Sequence, residues 1–350
     1  PIILHNTEDI NKNNKLLIEN TKIVEDNMVS DKSQPILQRQ NSDYVLSFSP
    51  QKPLTENEMD DLYNLSFRKD FPDYCKSVPA WNMINSSITT HRGCYGACSF
   101  CAITIHQGAI ISQRSKESII DEVKSLVQKS FFNKTITDVG GPTANMYGTS
   151  CKIGWCKTPS CLFPRICPNL IIDNDIYKRL LQEIKKIPSV KNVFVSSGIR
   201  HDLALQKKDE TEFLITECTS GHLKIAPEHT DNNILKLMRK PPNEELIEFI
   251  ILFESIKKKY NLKSYILPYL ILSFPGSNDE NVKKLGNFLN KYRIRTYQYQ
   301  DFTPVPQTMA TAIFFAKQSV DGKSLNILSP SVINKREREI LERILKSKTV

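Results

Sequence analysis

The stretch HRGCYGACSFC, residues 91–101, decides how the rest of this chain is read. Cys94, Cys98 and Cys101 stand in the spacing C-x-x-x-C-x-x-C, with Phe100 directly before the last thiol. Three thiolates on so short a loop can take three corners of a cubane [4Fe–4S] cluster, because such clusters are held by Cys sulfur. No fourth cysteine follows on the loop, so one iron stays open to a substrate or cofactor. Gly93 and Gly96 let the backbone wrap a bulky group without Cβ clashes. Zinc is the rival occupant, but structural zinc usually draws on paired knuckles, and this loop would have to borrow its fourth ligand. Three structural thiols close by chance are the remaining reading.

At 350 residues the chain is long enough for one large α/β domain with appendages. Its 40% hydrophobic and 24% charged content are those of an ordinary globular protein. No apolar run approaches the ~18 residues of a membrane helix, and the start lacks a signal-peptide pattern. Nine cysteines in a chain of this size without an export signal point to metal rather than disulfides. A cytoplasmic protein with reduced thiols and no membrane contact is expected. The net charge of +9 reads as solvated Lys and Arg on helix faces, as in IKKIP (184–188) and NKREREILERILKSK (334–348). Such surfaces attract phosphate, but no aromatic-interleaved basic stripe stands out. Nucleic acid is a compatible partner, not the favoured one.

Residues 1–50 are Asn-rich and weakly periodic and read as a polar linker or poorly ordered segment. A strand-like run, YVLSF (44–48), ends them, and residues 51–84 are a lead-in. From residue 85 strand-like and helical stretches alternate. The strands are SSITTHRG (86–93), KTITDVGG (134–141), NVFVSS (192–197), HLKIAP (222–227), SYILPYLILSF (264–274) and TYQYQDF (296–302). The helices are 116–129, 175–187, 211–219, 245–260 and 281–293. In the first of them Ile119, Ile120, Val123, Leu126 and Val127 share a face, and Ser115 sits at the N-cap. Six strands with intervening helices argue a parallel βα repeat. The right-handed crossover rule curls such a sheet toward a barrel. An α/β open six-strand (βα) partial TIM-like barrel over 85–316 is therefore expected, with a Cys-rich insertion at 142–172. A basic helical segment, 317–350, follows it.

The cysteine loop with its aromatic resembles that of the radical S-adenosylmethionine (radical SAM) enzymes. The likeness narrows at DVGGPTANMYG (138–148), SSGIRHD (196–202), LKIAPEHT (223–230), YLILSFPGS (269–277) and QDFTPVPQTMATA (300–312). Together these resemble the YgiQ-like branch, from about Leu54 to about Phe315. Relatives of that type carry a further domain upstream, and a first residue Pro1 fits a piece of a longer chain. Every motif falls at the C-terminal end of a strand, where barrel enzymes place their chemistry.

The resemblance implies that Cys94, Cys98 and Cys101 hold a [4Fe–4S] cluster whose open iron chelates S-adenosylmethionine. One electron, from a donor such as flavodoxin or ferredoxin, would then yield a 5′-deoxyadenosyl radical for an unknown substrate. Phe100 would meet the adenine through its loop backbone, or simply anchor the loop. Gly140 and Gly141 would approach the methionine amine, with Pro142 where the superfamily carries Glu. A plain turn is the alternative. Ser197 could bond the ribose, and Arg200 could clamp a carboxylate in bidentate fashion. Strand alternation puts Lys224 and Ala226 on one face, so Lys224 would meet either the cofactor carboxylate or Glu228. Glu228 is itself a cofactor-binding candidate.

Cys151, Cys156, Cys161 and Cys167 form a second group in CKIGWCKTPSCLFPRICPNL, where Pro159, Pro164 and Pro168 forbid a long helix. An auxiliary Fe–S cluster, structural zinc, or free thiols all fit them. The competing function is a metal-stabilised binding module, such as one for RNA, without turnover.

Overall fold

A computed structural model describes the chain except residues 30–31, 72–73, 76–77, 155, 157, 173–174, 297–298, 326, 328–329 and 347–350. The first fifty residues, expected as a linker, are folded. They build strand β1 (Ile2–Ile3), helices α1 (Thr7–Lys12) and α2 (Leu16–Met28), and strands β2 (Ile36–Gln40) and β3 (Asp43–Ser47). β1 runs parallel to β2, which pairs antiparallel with β3. The asparagines that suggested disorder stand in for backbone groups instead. Asn20 accepts the His5 N–H at 2.9 Å and donates to the His5 carbonyl at 3.0 Å. Asn27 treats Gln34 the same way, at 2.9 and 2.8 Å. Ile18 of α2 is buried with Met309, Ala312 and Ile313. Satisfied polar groups and one apolar contact stripe hold this segment despite its weak periodicity.

Next come α3 (Glu56–Tyr63), opened by a Thr55/Glu58 capping box, and α4 (Trp81–Ile84). The expected first strand is interrupted at Thr90 into β4 (Ser87–Thr89) and β5 (His91–Arg92). After the cysteine loop follow α5 (Ile103–Gln107), β6 (Ser112–Gln113) and α6 (Lys116–Leu126). Ser115 caps α6 by accepting the Ser118 N–H at 3.1 Å, and Ile119, Val123 and Leu126 are buried as expected. Then come β7 (Thr135–Ile136), β8 (Asp138–Gly140), β9 (Thr149–Cys151), β10 (Leu170–Ile172), α7 (Ile176–Lys185) and β11 (Asn192–Val193). The remaining elements are α8 (His201–Gln206), α9 (Lys208–Glu217), β12 (His222–Glu228), α10 (Asn232–Met238), α11 (Asn243–Lys259) and β13 (Tyr265–Leu272). The chain closes with α12 (Asp279–Lys291), β14 (Tyr299–Asp301), α13 (Met309–Ala316) and α14 (Pro330–Lys346). Residues 297–298 of the expected last strand lie outside the described residues.

The fold is mixed α/β, and its βα strands pair in parallel with their neighbours in chain order. β4 pairs with β8, β7 with β11, and β12 with β13 and then β14. A single parallel bridge, Ile199 to Ile225, links the third strand region to β12. The pairing is discontinuous where side chains replace ladder bonds. The Ser196 hydroxyl donates to the Thr137 carbonyl at 2.7 Å, and the Asp138 carboxylate accepts the Ser196 and Ser197 N–H groups. This is why the expected strand at 192–197 is regular only over two residues. One side of the strands packs on the helices: Ile88, Ile136, Val193, Leu223 and Ile225 meet Ile119, Leu180, Ile184, Phe249 and Phe253. Lys224 and Ala226 are half-buried on the opposite side. Among the described residues no helix is long and apolar enough to cross a membrane.

Candidate active site

The cysteine loop is fastened on both flanks. The Cys94 N–H donates to the Gly108 carbonyl at 3.0 Å, and the Cys94 carbonyl accepts from the Thr104 hydroxyl at 2.7 Å. Ser99 donates from its N–H to Met238 and from its hydroxyl to Leu237, and its carbonyl accepts the Ala310 N–H. Phe100 turns its ring edge-on to Phe274, 6.5 Å between centroids, among Ile234, Met238 and Phe302. Its side chain is thus a hydrophobic anchor. At Gly96 a Cβ would sit 3.0 Å from Arg200 Nη1 and 3.4 Å from Cys94 Sγ, so a side chain would fill the space beside the sulfurs. The outer wall is α2: Glu25, Met28 and Val29 line a small cavity with Ala97, Cys98 and Cys101. Glu25 holds Arg239 through two bonds of 3.0 and 2.9 Å.

Arg200 is differently engaged from the carboxylate clamp expected of it. Asp202 already occupies the fork, accepting Nε at 3.0 Å and Nη2 at 2.6 Å. The remaining Nη1 points at Cys98 Sγ, 3.6 Å away. Asn145 fixes the Arg200 backbone, accepting its N–H at 3.0 Å and donating to its carbonyl at 2.9 Å. The GGPTANMY and SSGIRHD stretches are thereby locked together. Burial opposes the Arg200 charge, yet Asp202 and then the Cys98 sulfur hold its pKa above the ordinary value. Burial also opposes the Asp202 charge, and Arg200 more than offsets it, leaving Asp202 at about 2.

A second buried cation, Lys240, lies near the loop with its Nζ 4.0 Å from Glu228. Burial raises the Glu228 carboxyl, while Lys240 and Arg200 pull it down. Burial, then Cys98, raises the Cys94 thiol, and Arg200 and Lys240 act against that rise. Cys101 is pushed up to about 12, first by burial.

Gly140 and Gly141 close the end of β8 under tight constraint. A Cβ on Gly140 would lie 2.2 Å from Ser197 Oγ, and one on Gly141 would lie 2.6 Å from the His91 ring. Pro142 follows, half-buried, and Ser197 is exposed. The expected Lys224–Glu228 pair is not the one formed. Glu228 pairs with Lys240, and the acid that feels Lys224 is Asp138, whose carboxyl burial pushes up and whose Ser196 and Ser197 bonds pull it down. Asp138, Asn145, Asp202 and Lys240 were not singled out from sequence. Asp138 and Asn145 stand inside a quoted motif, whereas Lys240 carries no local signal.

The second cysteine group is also brought together. Burial, then the sulfurs of Cys167, Cys156 and Cys151, push Cys161 up to about 12. Cys101 instead feels Cys98 and Cys94, so the thiols divide into two sets. All nine cysteines are free, and Cys218 is buried in the main core. Among the described residues no three His, Cys, Asp or Glu side chains gather around a single-ion position.

A family profile for the radical SAM N-terminal region matches residues 1–87, the segment that includes the supposed linker, and one for the radical SAM superfamily matches residues 88–289. A UPF0313 protein of Thermotoga petrophila is 43% identical over 318 residues, covering 87% of this chain and 56% of its own. One from Methanocella arvoryzae is 40% identical over 285 residues, covering 80% and 48%. The chain thus spans about half the length of the curated relatives it matches. Among solved structures, the radical S-adenosylmethionine methyltransferase TsrM from Kitasatospora setae covers 64% of this chain and 37% of its own. At 16% identity and a TM-score of 0.43 it carries no argument about substrate. The superfamily profile takes in more than half of the residues, on both sides of the cysteine loop, and the chain belongs to the radical SAM superfamily.

Proposed function

We propose that this chain is the core of a radical SAM enzyme, with Cys94, Cys98 and Cys101 holding a [4Fe–4S] cluster and the strand ends holding S-adenosylmethionine. The observation that carries the reading is Arg200. A buried guanidinium, fixed by Asp202 and Asn145, points its remaining nitrogen, Nη1, at a thiol of a three-cysteine loop. The donor set fits the group: three sulfurs, a glycine at the point of closest approach, and two buried cations to offset thiolate charge. Bound together, cluster and S-adenosylmethionine supply one-electron cleavage to methionine and a 5′-deoxyadenosyl radical.

The chain's own residues then bind, orient and shield. Arg200 donates to the Cys98 sulfur and fixes its position. Gly140 and Gly141 let the end of β8 pack closely on Ser197 and His91, and Lys224 and Ser197 offer a ligand polar contacts. Met28 and Val29 keep water from the outer side of the loop. The six strand regions are read as an open partial barrel around this site. An external one-electron donor such as flavodoxin or ferredoxin completes the reaction.

The test is anaerobic reconstitution with iron, sulfide, S-adenosylmethionine and dithionite, followed by assay for 5′-deoxyadenosine. The expected result is slow uncoupled formation that disappears with Cys98→Ala. A chain that holds metal yet neither binds nor cleaves S-adenosylmethionine, also at the length of its relatives, would favour the metal-stabilised binding module.

A further inference from the structure

We propose that Cys151, Cys156, Cys161 and Cys167 hold a second iron–sulfur cluster, separate from the one on the 94–101 loop. Between β9 and β10 the described residues form no regular element, yet several are fixed by backbone bonds. Cys151 pairs across the hairpin with Leu170, whose N–H donates to the Cys167 carbonyl at 3.0 Å. The Cys167 N–H donates to the Cys161 carbonyl at 2.8 Å, and the Cys161 N–H to Tyr95 at 2.9 Å. The Ser160 hydroxyl bonds Gly96 at 2.8 Å. One run of backbone bonds therefore brings three of the four cysteines together and ends on the residues next to Cys94.

Cys151, Cys156 and Cys161 line a common cavity of about 240 Å³ with Tyr95, Ile110 and Ile111. That is several times the ~30 Å³ share of one water, so the space suits a group of several atoms rather than one ion. A zinc ion at about 2.3 Å from each sulfur would draw all four around a single point. No such gathering is seen among the described residues. In a cubane each thiolate takes a different iron, so the sulfurs stand apart around a larger body. An irregular insertion whose described apolar residues packed inward are Leu162 and Ile166, beside Cys161, also gains its fold from a cross-linking centre.

The proposal rests on thiols that the 94–101 loop does not use, so its test can be separated from that site. The full chain carrying Cys94→Ala, Cys98→Ala and Cys101→Ala is reconstituted anaerobically, then analysed for iron, sulfide and zinc. About four irons and four sulfides per chain, with broad visible absorption bleached by dithionite, are expected. In the reverse variant, Cys151→Ala with Cys156→Ala, about half of the wild-type iron should be lost. Those two are chosen because Cys161 packs with Tyr95 and Leu162 behind Cys94. One colourless zinc per chain overturns the proposal, as do four readily alkylated thiols in a folded, metal-free triple variant. If the triple variant does not fold, undiminished iron in the reverse variant overturns it equally.

Discussion

The 94–101 loop presents three thiols beside two buried cations, Arg200 and Lys240, whereas the 151–167 loop brings four thiols near one another, three of them lining an apolar cavity. The loops touch through the bonds of Ser160 and Cys161 to Gly96 and Tyr95. Their surroundings nevertheless suit different tasks. A cation held by its own carboxylate can stabilise added negative charge without being neutralised when a ligand arrives. Four sulfurs can close a metal group with no outside help. The first loop is tuned by distant residues, and the second is completed by near ones.

The largest effect should follow from Arg200. Arg200→Met strands Asp202 in the interior, and breaking a buried pair in this way costs about 3–5 kcal/mol. Denaturant unfolding should read that loss, and Arg200→Met with Asp202→Leu should recover most of it. In the double variant the first cluster loses a donor to its sulfur, so its reduction potential should become more negative. Arg165→Met, on the exposed part of the second loop, should change stability by less than about 0.5 kcal/mol. Equal losses at both positions would end the contrast. Because Asp202 is held at about 2, its contribution should be full above pH 3.8, fall progressively as pH drops below that value, and be gone once pH has passed through 2.

The Lys224 effect should be smaller and confined to the ligand. Removing one charge-assisted contact costs about 1.5–3 kcal/mol, so Lys224→Ala should weaken S-adenosylmethionine binding by about ten- to a hundredfold with the iron retained. Unchanged affinity would leave Lys224 as a partner of Asp138 only.

The two loops also differ in how much of them the sequence exposes. Spacing alone picks out both sets of cysteines, and 3.6-residue periodicity places α6, α7, α11 and α12 within a few residues. What spacing cannot reveal is contact between the ends of different strands. Arg200 reaches Cys98 across 102 positions, and Asn145 reaches Arg200 across 55. The N-terminal segment was misread for a related reason. Its asparagines bond to backbone groups at positions 5 and 34, and its apolar partner Ile313 lies at the far end of the chain. Composition registers neither.

Glycine substitutions should separate the strand end beside the first loop from the second loop on a scale of about 1–3 kcal/mol, the usual cost of overpacking. Gly140→Ala drives a Cβ into Ser197 Oγ, so stability should fall. Adding Ser197→Ala should restore part of it, because the next atoms met, Ala144 Cβ at 3.3 Å and Ser197 Cβ at 3.4 Å, need only a small shift. Gly154 on the second loop has φ +69 and meets nothing within 4 Å. Gly154→Ala should therefore cost only the left-handed strain, roughly 1–2 kcal/mol, and no neighbouring substitution should relieve it.

The smallest effect tests the wall over the first loop. α2 is held over Cys98 by Ile18 at one end and by Glu25–Arg239 at the other. An ion pair at the edge of solvent is worth up to about 1 kcal/mol. Glu25→Ala should leave α2 docked through Ile18 while its far end opens more often. A change of ~1 kcal/mol in that opening is about a fivefold change in population. Alkylation of Cys98 in the metal-free chain should quicken by about that factor at low salt. High salt should quicken the wild type and so narrow the difference, since screening weakens the same pair in part. Cys156 faces a neighbouring cavity that meets this wall at Val29 but not at Glu25, and serves as the comparison. If both thiols quicken together, Glu25 supports the whole molecule rather than the wall, and the first loop is shielded by its own packing alone.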